Sequence, residues 1–339
     1  MLRKNILLVL ILALTSTPLA IANNFSADAR VQTYIQHLQQ EHAFAPEELN
    51  HFFAKLTYND KVLRLLGVPD ADDEAKPSKP PKKVYWQQYR KQRLSAKKIA
   101  SGILFYRQHQ DLLDQAEAQY GVPAAIIAAI IGIETHYGLH TGRYLVAETL
   151  ATLAFGHPQR GEEFLNELTE FLLYARETRI DPLSIAGSYA GAIGMAQFMP
   201  SSLRKHAVNF NGDERIDLFI AADAIASIAN FLTAHGWQRG FAVDYPATID
   251  SLQSKALIER THNNDYRPVM DIEQLRQYGV QTDAPATGAH YLFVDLENRY
   301  DTEYRIGNEN FYALTRYNKS FKYAAVVSDL AREIASGVN

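Results

Sequence analysis

The longest continuous apolar stretch that ends in a charged residue lies between Gly121 and Gly138, with the sequence GVPAAIIAAIIGIETHYG. A run that is apolar on every face predicts a helix buried in a core. Pro123 can occupy the first helical position, where a missing N–H is tolerated, and Gly138 can supply a left-handed cap. Glu134 follows the apolar run, so the pattern predicts a carboxyl group at the end of a buried helix.

Apolar residues at helical spacing recur on both sides of this stretch. They predict helices within residues 24–67, 84–119, 162–179 and 221–235, and one more helix over residues 311–330. The chain is therefore predicted to be mainly α-helical.

Three stretches interrupt the helical pattern. Residues 68–83 are rich in proline and charge and predict an exposed linker. Residues 187–202 predict a glycine-rich loop that leads into a helix capped by Ser201 or Ser202. From 238 to 305 the helical runs shorten and turn residues become frequent, with a β-type segment around residues 291–294, which predicts a small mixed or β-rich insert.

The position of Glu134 suggests a chemical role. Burial disfavours the charged form of a carboxyl group, so its pKa should rise. An enzyme can use such a group as a proton donor near neutral pH. The alternative is a glutamate at a helix end that reaches solvent or pairs with a nearby arginine.

Composition narrows the classes of function. The 339-residue chain is 47% apolar with a net charge of −4, which argues against a nucleic-acid partner. It has no cysteine, which excludes disulfides, a thiol nucleophile, cysteine metal ligands and cysteine lipidation. Its 19 tyrosines would suit a hydroxylated ligand such as a sugar, although aromatic residues more often pack in cores.

The N-terminus has the pattern of a signal peptide. Arg3 and Lys4 precede an apolar run from Ile6 to Leu14, and an A-x-A cleavage pattern ends at Ala22. We expect export with cleavage after Ala22; a retained anchor is the alternative.

Residues 209–223 have part of the pattern of a calcium loop. Oxygen-bearing side chains alternate at Asn209, Asn211 and Asp213. The standard loop requires glycine and glutamate where this chain has Glu214 and Ile220, so that motif is not met. Either a longer loop closes on Asp223, or the segment is a solvated turn.

Four segments together resemble the membrane-bound lytic transglycosylase B family of peptidoglycan-cleaving enzymes. They are GVPAAIIAAIIGIETHYG, GSYAGAIGMAQFMPSS, the loop of residues 209–223 running into AIASIANFLTAHGW, and TRYNKSFKYA. The resemblance extends from about Tyr85 to the C-terminus. It implies a mainly α (α+β) fold with a lysozyme-like helical core, an additional helical region and a small β-rich domain.

The domain boundaries that follow are a signal peptide over 1–22, an N-terminal helical region with its linker over 23–83, a catalytic core with an accessory α region over 84–237, a β-rich domain over 238–305, and a helical segment returning to the core over 306–339.

The resemblance also implies an activity. The family cleaves the β-1,4 bond between N-acetylmuramic acid and N-acetylglucosamine without water and leaves a 1,6-anhydro ring. Glu134 would act first as acid and then as base. Two alternatives are a hydrolytic muramidase on the same scaffold and a non-catalytic peptidoglycan-binding protein.

By the same resemblance, several residues would bind substrate. Ser188 would hydrogen-bond around the N-acetyl group, and Gln197 would line the sugar cleft. Arg160 would face the muramic acid carboxylate or the stem peptide, or form a surface ion pair. The whole set is Tyr89, Arg160, Ser188, Gln197, Tyr317, Asn318 and Tyr323. For the three tyrosines and for Asn318, core packing is the alternative.

The resemblance implies no cofactor for the chemistry, but it suggests a weak structural calcium or sodium ion. The implied ligands are Asn209, Asn211, Asp213, the carbonyl of Arg215, and Asp223. The implied partners are peptidoglycan glycan strands, and other cell-wall enzymes are further candidates. We expect a monomer. Because this chain has no cysteine to lipidate, we expect a soluble periplasmic form.

Overall fold

The computed structural model describes residues 25–68, 83–213, 215–249, 251–286 and 289–338. The predicted signal peptide over 1–22 and residues 69–82 of the predicted linker lie outside the described residues. The chain forms two compact units, the first ending at Tyr58 and the second beginning at Asn59.

The first unit contains a 3₁₀ turn, Phe25–Ala27, followed by α1, Ala29–His42, and α2, Pro46–Ala54. The side chain of Asp28 caps α1 by accepting a hydrogen bond of 2.9 Å from the amide of Arg30. Tyr34 and Phe53 pack edge to face with ring centroids 6.2 Å apart. Both side chains are buried, and they form part of the core of this unit.

The second unit is mainly helical, as predicted. Its helices are α3 (Asp60–Leu65), α4 (Trp86–Arg93), α5 (Ala96–Gln108), α6 (Gln110–Tyr120), α7 (Ala124–Thr135), α8 (Val146–Gly156), α9 (Gly161–Thr178), α10 (Pro200–His206), α11 (Ala221–Ala234), α12 (Ser251–Asn263), α13 (Ile272–Gln277), α14 (Glu309–Tyr317) and α15 (Phe321–Val338). Its strands are β1 (Tyr144–Leu145), β2 (Ala186–Gly187), β3 (Asp244–Thr248), β4 (Gln281–Thr282), β5 (Leu292–Glu297) and β6 (Thr302–Gly307).

Helix α7 is buried as its apolar sequence predicts, and it packs against α5, α6, α11 and α15. It is shorter than predicted. Pro123 is the N-cap rather than the first helical residue, and the helix ends at Thr135 because His136 adopts a left-handed conformation with φ 51°. No single described helix is long and apolar enough to cross a membrane; α6 and α7 reach that threshold only as a pair bent by 115°.

Two predicted helix boundaries are wrong. Residues 311–330 form two helices, α14 and α15, because Asn318 leaves the helical conformation with φ −146° and ψ 119°. Helix α10 is capped by Met199 rather than by Ser201 or Ser202. The reason is that Pro200 opens this helix, and the carboxylate of Glu167 accepts hydrogen bonds from the amide and hydroxyl of Ser201, at 2.9 and 2.7 Å.

The strands form two antiparallel sheets. The larger sheet has the order β4-β3-β6-β5, with Tyr245 opposite Ile306 and Val294 opposite Arg305. Strand β5 confirms the predicted β-segment around residues 291–294. One face of this sheet packs against α12 and α13 through Leu257 and Leu275, which are fully buried. The smaller sheet pairs β1 with β2, with Tyr144 opposite Gly187.

A buried ion network joins the larger sheet to α4 and α15. The guanidinium of Arg305 on β6 donates to Asp244 on β3 at 2.7 Å and to Asp329 on α15 at 2.8 Å. Asp329 also accepts from Arg90 on α4 at 2.6 Å. Arg332 reaches the same two aspartates from the exposed side. Because α4 carries Tyr89 and α15 carries Tyr323, this network fixes the two helices that bring those tyrosines to Glu134.

Candidate active site

The C-terminal end of α7 is fixed by two local contacts. The hydroxyl of Thr135 approaches the carbonyl of Met195 at 3.3 Å and accepts from the amide of Gly138 at 3.0 Å. The ring of Tyr137 lies against Gly132, where a Cβ would come within 2.4 Å of a ring carbon. Any larger residue at this position would displace the ring of Tyr137, which packs beside the helix end that carries Glu134.

Glu134 is partly buried and is hydrogen-bonded to a phenol. The hydroxyl of Tyr323 donates to its Oε1 at 2.6 Å. Burial raises the pKa of Glu134 to about 7, although the Tyr323 hydrogen bond and the positive charges of Arg93 and Lys98 partly oppose that rise. The prediction of a raised pKa is confirmed. Near neutral pH this carboxyl group can both give and accept a proton.

Three tyrosines lie around this acid. The rings of Tyr317 and Tyr323 stack with centroids 6.3 Å apart and an angle of 8° between their planes. The hydroxyl of Tyr317 donates to the carbonyl of Ala196. Burial raises the pKa of Tyr89, and the charge of Glu134 adds to that rise, which brings Tyr89 into the same environment. The structure therefore gathers three of the seven predicted substrate-binding residues around Glu134.

Two cations near Glu134 were not among the residues predicted from the sequence. Arg93 lies over the ring of Tyr89, 3.7 Å from its centroid. The side chain of Lys98 is buried, and that burial lowers its pKa. Lys98 shares the buried face of α5 with Gly102 and Phe105. The spacing i, i+4, i+7 places these residues on one helix face, so the pattern could have identified a lysine turned towards the core.

Ser188 and Gln197 belong to the loop between β2 and α10. The Oγ of Ser188 accepts from the amide of Ala192 at 3.0 Å. Gln197 has a left-handed backbone conformation with φ 50°, and its side-chain amide donates to the carbonyls of Thr141 and Gly194 at 3.1 and 2.9 Å. Both side chains line one cavity of about 490 Å³. The loop is fixed to α14, since the carbonyl of Ala196 accepts the Tyr317 hydrogen bond.

The two remaining predicted substrate residues lie elsewhere. Arg160 is exposed at the start of α9 and donates to both carboxylate oxygens of Glu163, at 2.8 and 2.6 Å. Asn318 is exposed in the break between α14 and α15. The described contacts do not join either side chain to Glu134 or to the cavity.

The carboxylate of Asp223 stabilises the loop of residues 209–223. Asp223 is fully buried, and its two oxygens accept from the amides of Phe210 and Asp217, each at 2.8 Å. Both oxygens are thus occupied by backbone donors.

The other predicted metal ligands are bonded to one another. Asn209 donates to the carbonyl of Asp213, Asn211 donates to the Asp213 carboxylate at 2.8 Å, and the amide of Arg215 donates to that carboxylate at 2.8 Å. Among the residues that the structure describes, no group of three or more histidine, cysteine, aspartate or glutamate side chains could hold a metal ion. Calcium prefers six to eight oxygens with several carboxylates, so this donor set fits the ion poorly.

Comparison with known proteins gives a consistent result. Residues 26–332 match the family model described as the transglycosylase SLT domain. A relative, membrane-bound lytic murein transglycosylase B of Escherichia coli (strain K12), is 36% identical over 315 residues, which are 92% of this chain and 84% of the relative.

Solved structures are similar over nearly the whole chain. The soluble lytic transglycosylase SltB1 of Pseudomonas aeruginosa is 37% identical, with a TM-score of 0.80 and coverage of 91% of this chain and 98% of that one. The Escherichia coli lytic transglycosylase Slt35, in complex with calcium, is 33% identical, with a TM-score of 0.77 and coverage of 94% and 95%.

Proposed function

The chain belongs to the SLT-domain family of lytic murein transglycosylases, enzymes that act on peptidoglycan, and on that premise we propose that Glu134 is its single catalytic acid and base. The observation that carries this proposal is the hydrogen bond of 2.6 Å from Tyr323 to a carboxyl group whose pKa is about 7. An acid with that pKa is populated in both forms at neutral pH, which a group with two successive proton transfers requires.

The reaction has two steps at one carboxyl group. Protonated Glu134 donates its proton to the glycosidic oxygen, and the bond from that oxygen to C1 of the muramic acid breaks. The carboxylate of Glu134 then takes the proton of the C6 hydroxyl while O6 forms a bond to C1, which gives the 1,6-anhydro ring. The Tyr323 hydroxyl stabilises the carboxylate between the steps, since a hydrogen bond to an ionised acceptor is stronger than one to a neutral group.

The surroundings of Glu134 favour this route over hydrolysis. Glycosidases that use water pair two carboxyl groups at about 5 to 9.5 Å. A second carboxylate at that distance would raise the pKa of Glu134 by like-charge repulsion. The charged side chains that shift its pKa in the described part of the chain are instead two cations, Arg93 and Lys98. We therefore assign the stabilisation of the positive charge that develops at C1 to the substrate's own N-acetyl group.

The tyrosines and the cavity supply the substrate contacts. Tyr89, Tyr317 and Tyr323 present phenols to the sugar at the cleavage point. Ser188 and Gln197 line the cavity beside the β2–α10 loop, where a hydroxyl and an amide suit an N-acetyl group and sugar hydroxyls. Arg160 and Asn318 are exposed, and they can act only on parts of the substrate that extend away from the acid.

Metal binding is a separate and minor matter. A relative has been solved with calcium. Of the two carboxylates predicted as ligands in this chain, however, that of Asp223 already accepts a backbone amide at each oxygen, which leaves Asp213 as the more available one. The proposed chemistry involves no ion, and any ion in this loop binds weakly and stabilises the loop alone.

Localisation follows from the N-terminal pattern. Export with cleavage after Ala22 would release the enzyme into the periplasm, where its substrate lies. The absence of cysteine from the sequence leaves no thiol for a lipid anchor. The similar proteins include one described as membrane-bound and one described as soluble.

Product analysis tests this proposal. Purified sacculi treated with the wild-type enzyme should yield fragments with 1,6-anhydro ends, and Glu134→Gln should reduce kcat by about 10²- to 10⁴-fold. Glu333→Gln, on the exposed side of α15, is the matched control and should keep full activity.

Each other outcome has a defined meaning. Products that have gained a water molecule would identify a hydrolytic muramidase. Glu134→Gln with wild-type turnover would exclude Glu134 as the acid. Binding of sacculi without any released fragment would identify a non-catalytic binding protein.

A further inference from the structure

The cavity beside the Ser188 loop extends beyond the residues that the proposed reaction uses. It measures about 490 Å³, within the usual size of ligand sites. One wall is the segment that connects α7 to β1, and the other is the loop after β2. The lining residues that matter here are His140, Arg143, Tyr144, Ser188, Tyr189 and Gln197.

The two walls are held together by strand pairing and by a side-chain hydrogen bond. Strands β1 and β2 pair Tyr144 with Gly187, and the side-chain amide of Gln197 donates to the carbonyl of Thr141 at 3.1 Å. Gly142 has φ 110°, and a Cβ at this position would lie 2.0 Å from the backbone of Gly187. Only a glycine allows so close an approach, so the cavity is formed before any ligand binds.

The positive charge in this cavity has no acidic partner among the described residues. The guanidinium of Arg143 is exposed and lies 5.9 Å from the ring centroid of Tyr144. None of the carboxylates in the described residues forms a salt bridge with it, and the cavity lining contains no acidic residue. Arg160, in contrast, is neutralised by Glu163. A preformed cavity with an unneutralised guanidinium and hydroxyl donors has the chemistry of a carboxylate site.

The substrate has such a group on one sugar of each pair. N-acetylmuramic acid carries a lactyl ether at C3, whose carboxyl group is either free or extended by a stem peptide with its own carboxylates. N-acetylglucosamine has neither. We propose that Arg143, with Tyr144 and Tyr189 beside it, binds a carboxylate attached to muramic acid and thereby sets which sugar of the strand lies at Glu134. This inference rests on the proposed function, because it concerns the same substrate.

Kinetics with three strand preparations test the inference. The preparations are peptide-bearing strands, strands freed of peptide with a free lactyl carboxylate, and peptide-free strands whose lactyl carboxyl is converted to the methylamide. Arg143→Gln should raise KM about 3- to 10-fold on strands that carry the recognised carboxylate, with kcat nearly unchanged, since an exposed ion pair contributes binding without acting on the bond that breaks. Arg143→Lys should restore part of the affinity.

The control is chosen to match the local chemistry. Arg299 is also exposed and lies over the ring of the following tyrosine, Tyr300, at 5.2 Å, but it is in the β5–β6 turn. Arg299→Gln should leave KM unchanged on all three preparations. Added salt should raise KM of the wild type more than KM of Arg143→Gln, because salt screens an exposed charge pair.

The three preparations separate the possible results. A defect of Arg143→Gln on peptide-bearing strands alone identifies a stem-peptide carboxylate. A defect that persists on peptide-free strands identifies the lactyl carboxylate. An equal KM for wild type and Arg143→Gln on both carboxylate-bearing preparations, or an equal defect on the methylamide strands, overturns the inference. If wild type released no anhydro ends, the proposed function would fail, and calorimetric titration of the same strands into both proteins would still decide the role of Arg143.

Discussion

Two carboxyl groups in the second unit, the partly buried Glu134 and the buried Asp329, have pKa values shifted in opposite directions. Burial raises the pKa of Glu134 to about 7. Burial alone would also raise the pKa of Asp329, but the hydrogen bonds and charge of Arg305, together with Arg90 and Arg332, hold that pKa below its usual value. Helix α15 contributes to both environments, because it carries Asp329 itself and Tyr323, the hydrogen-bond partner of Glu134.

The difference lies in the partners rather than in the burial. Glu134 has one direct side-chain partner in the described structure, the neutral phenol of Tyr323, and its nearby cations do not form salt bridges with it. Asp329 is in direct contact with three guanidinium groups. A buried carboxyl group with a neutral partner keeps its proton and can donate it, whereas one with several cationic partners is permanently ionised and has a structural role.

The two groups should also give the stability of the protein opposite pH dependences. The folded state binds the proton of Glu134 more tightly than the unfolded state does, so this group destabilises the fold as the pH rises from about 4.5 to about 7. The folded state binds a proton on Asp329 less tightly than the unfolded state does. Its contribution is therefore complete above the ordinary aspartate pKa of 3.8 and is lost as the pH falls through the lower pKa of the folded state.

The largest effect on stability is expected at the ionised group. Asp329→Asn should lower the free energy of unfolding at pH 7 by about 3 kcal/mol, because it leaves the buried guanidinium of Arg305 with less compensating charge. Urea denaturation measures this difference, and Asp301→Asn, in the exposed β5–β6 turn, is the control. A loss below about 1 kcal/mol would contradict a stabilising role for the network, since surface substitutions commonly reach about 0.5 kcal/mol.

Glu134 should behave in the opposite way. Glu134→Gln removes the carboxylate that is costly to ionise, so it should stabilise the protein at pH 8 by up to about 3 kcal/mol, the free energy that separates a carboxyl pKa of about 7 from one of 4.5. At pH 4 the same substitution should have little effect, because the wild-type group is already protonated in both states. Urea denaturation at the two pH values measures the difference, and equal effects at both would show that the gain does not come from ionisation.

The sequence predicts the environment of Glu134 better than the environment of Asp329. The apolar run before Glu134 is local, so the buried helix and the raised pKa follow from it. The phenol that binds the acid is 189 positions away in the chain, and no local pattern pairs the two residues. In the sequence analysis, only the family resemblance placed Glu134 and Tyr323 in one site.

The network around Asp329 was not predicted, since its members lie on α4, β3, β6 and α15 and only the tertiary fold brings them together. The break between α14 and α15 was missed for a local reason. Residues 318–320, Asn-Lys-Ser, contain neither glycine nor proline, which are the strongest predictors of a helix end. Lys98 is different, because its position on an apolar helix face was available from the sequence.

The smallest effect concerns the partner of Glu134. Tyr323→Phe removes the hydrogen bond that favours the carboxylate, so the pKa of Glu134 should rise further above about 7, by roughly one unit. The alkaline limb of the profile of kcat/KM against pH reports this pKa in the free enzyme. That limb should therefore move to higher pH in the variant, with a lower maximum because the carboxylate has lost its stabilising donor in the second step.

Tyr317→Phe is the matched comparison, since its hydroxyl donates to Ala196 rather than to the acid. It should lower the rate without moving the limb. A limb that stays in place in Tyr323→Phe would mean that the phenol does not set the acidity of Glu134, and the contrast with Asp329 would then rest on the lack of a salt bridge to Glu134 among the described contacts.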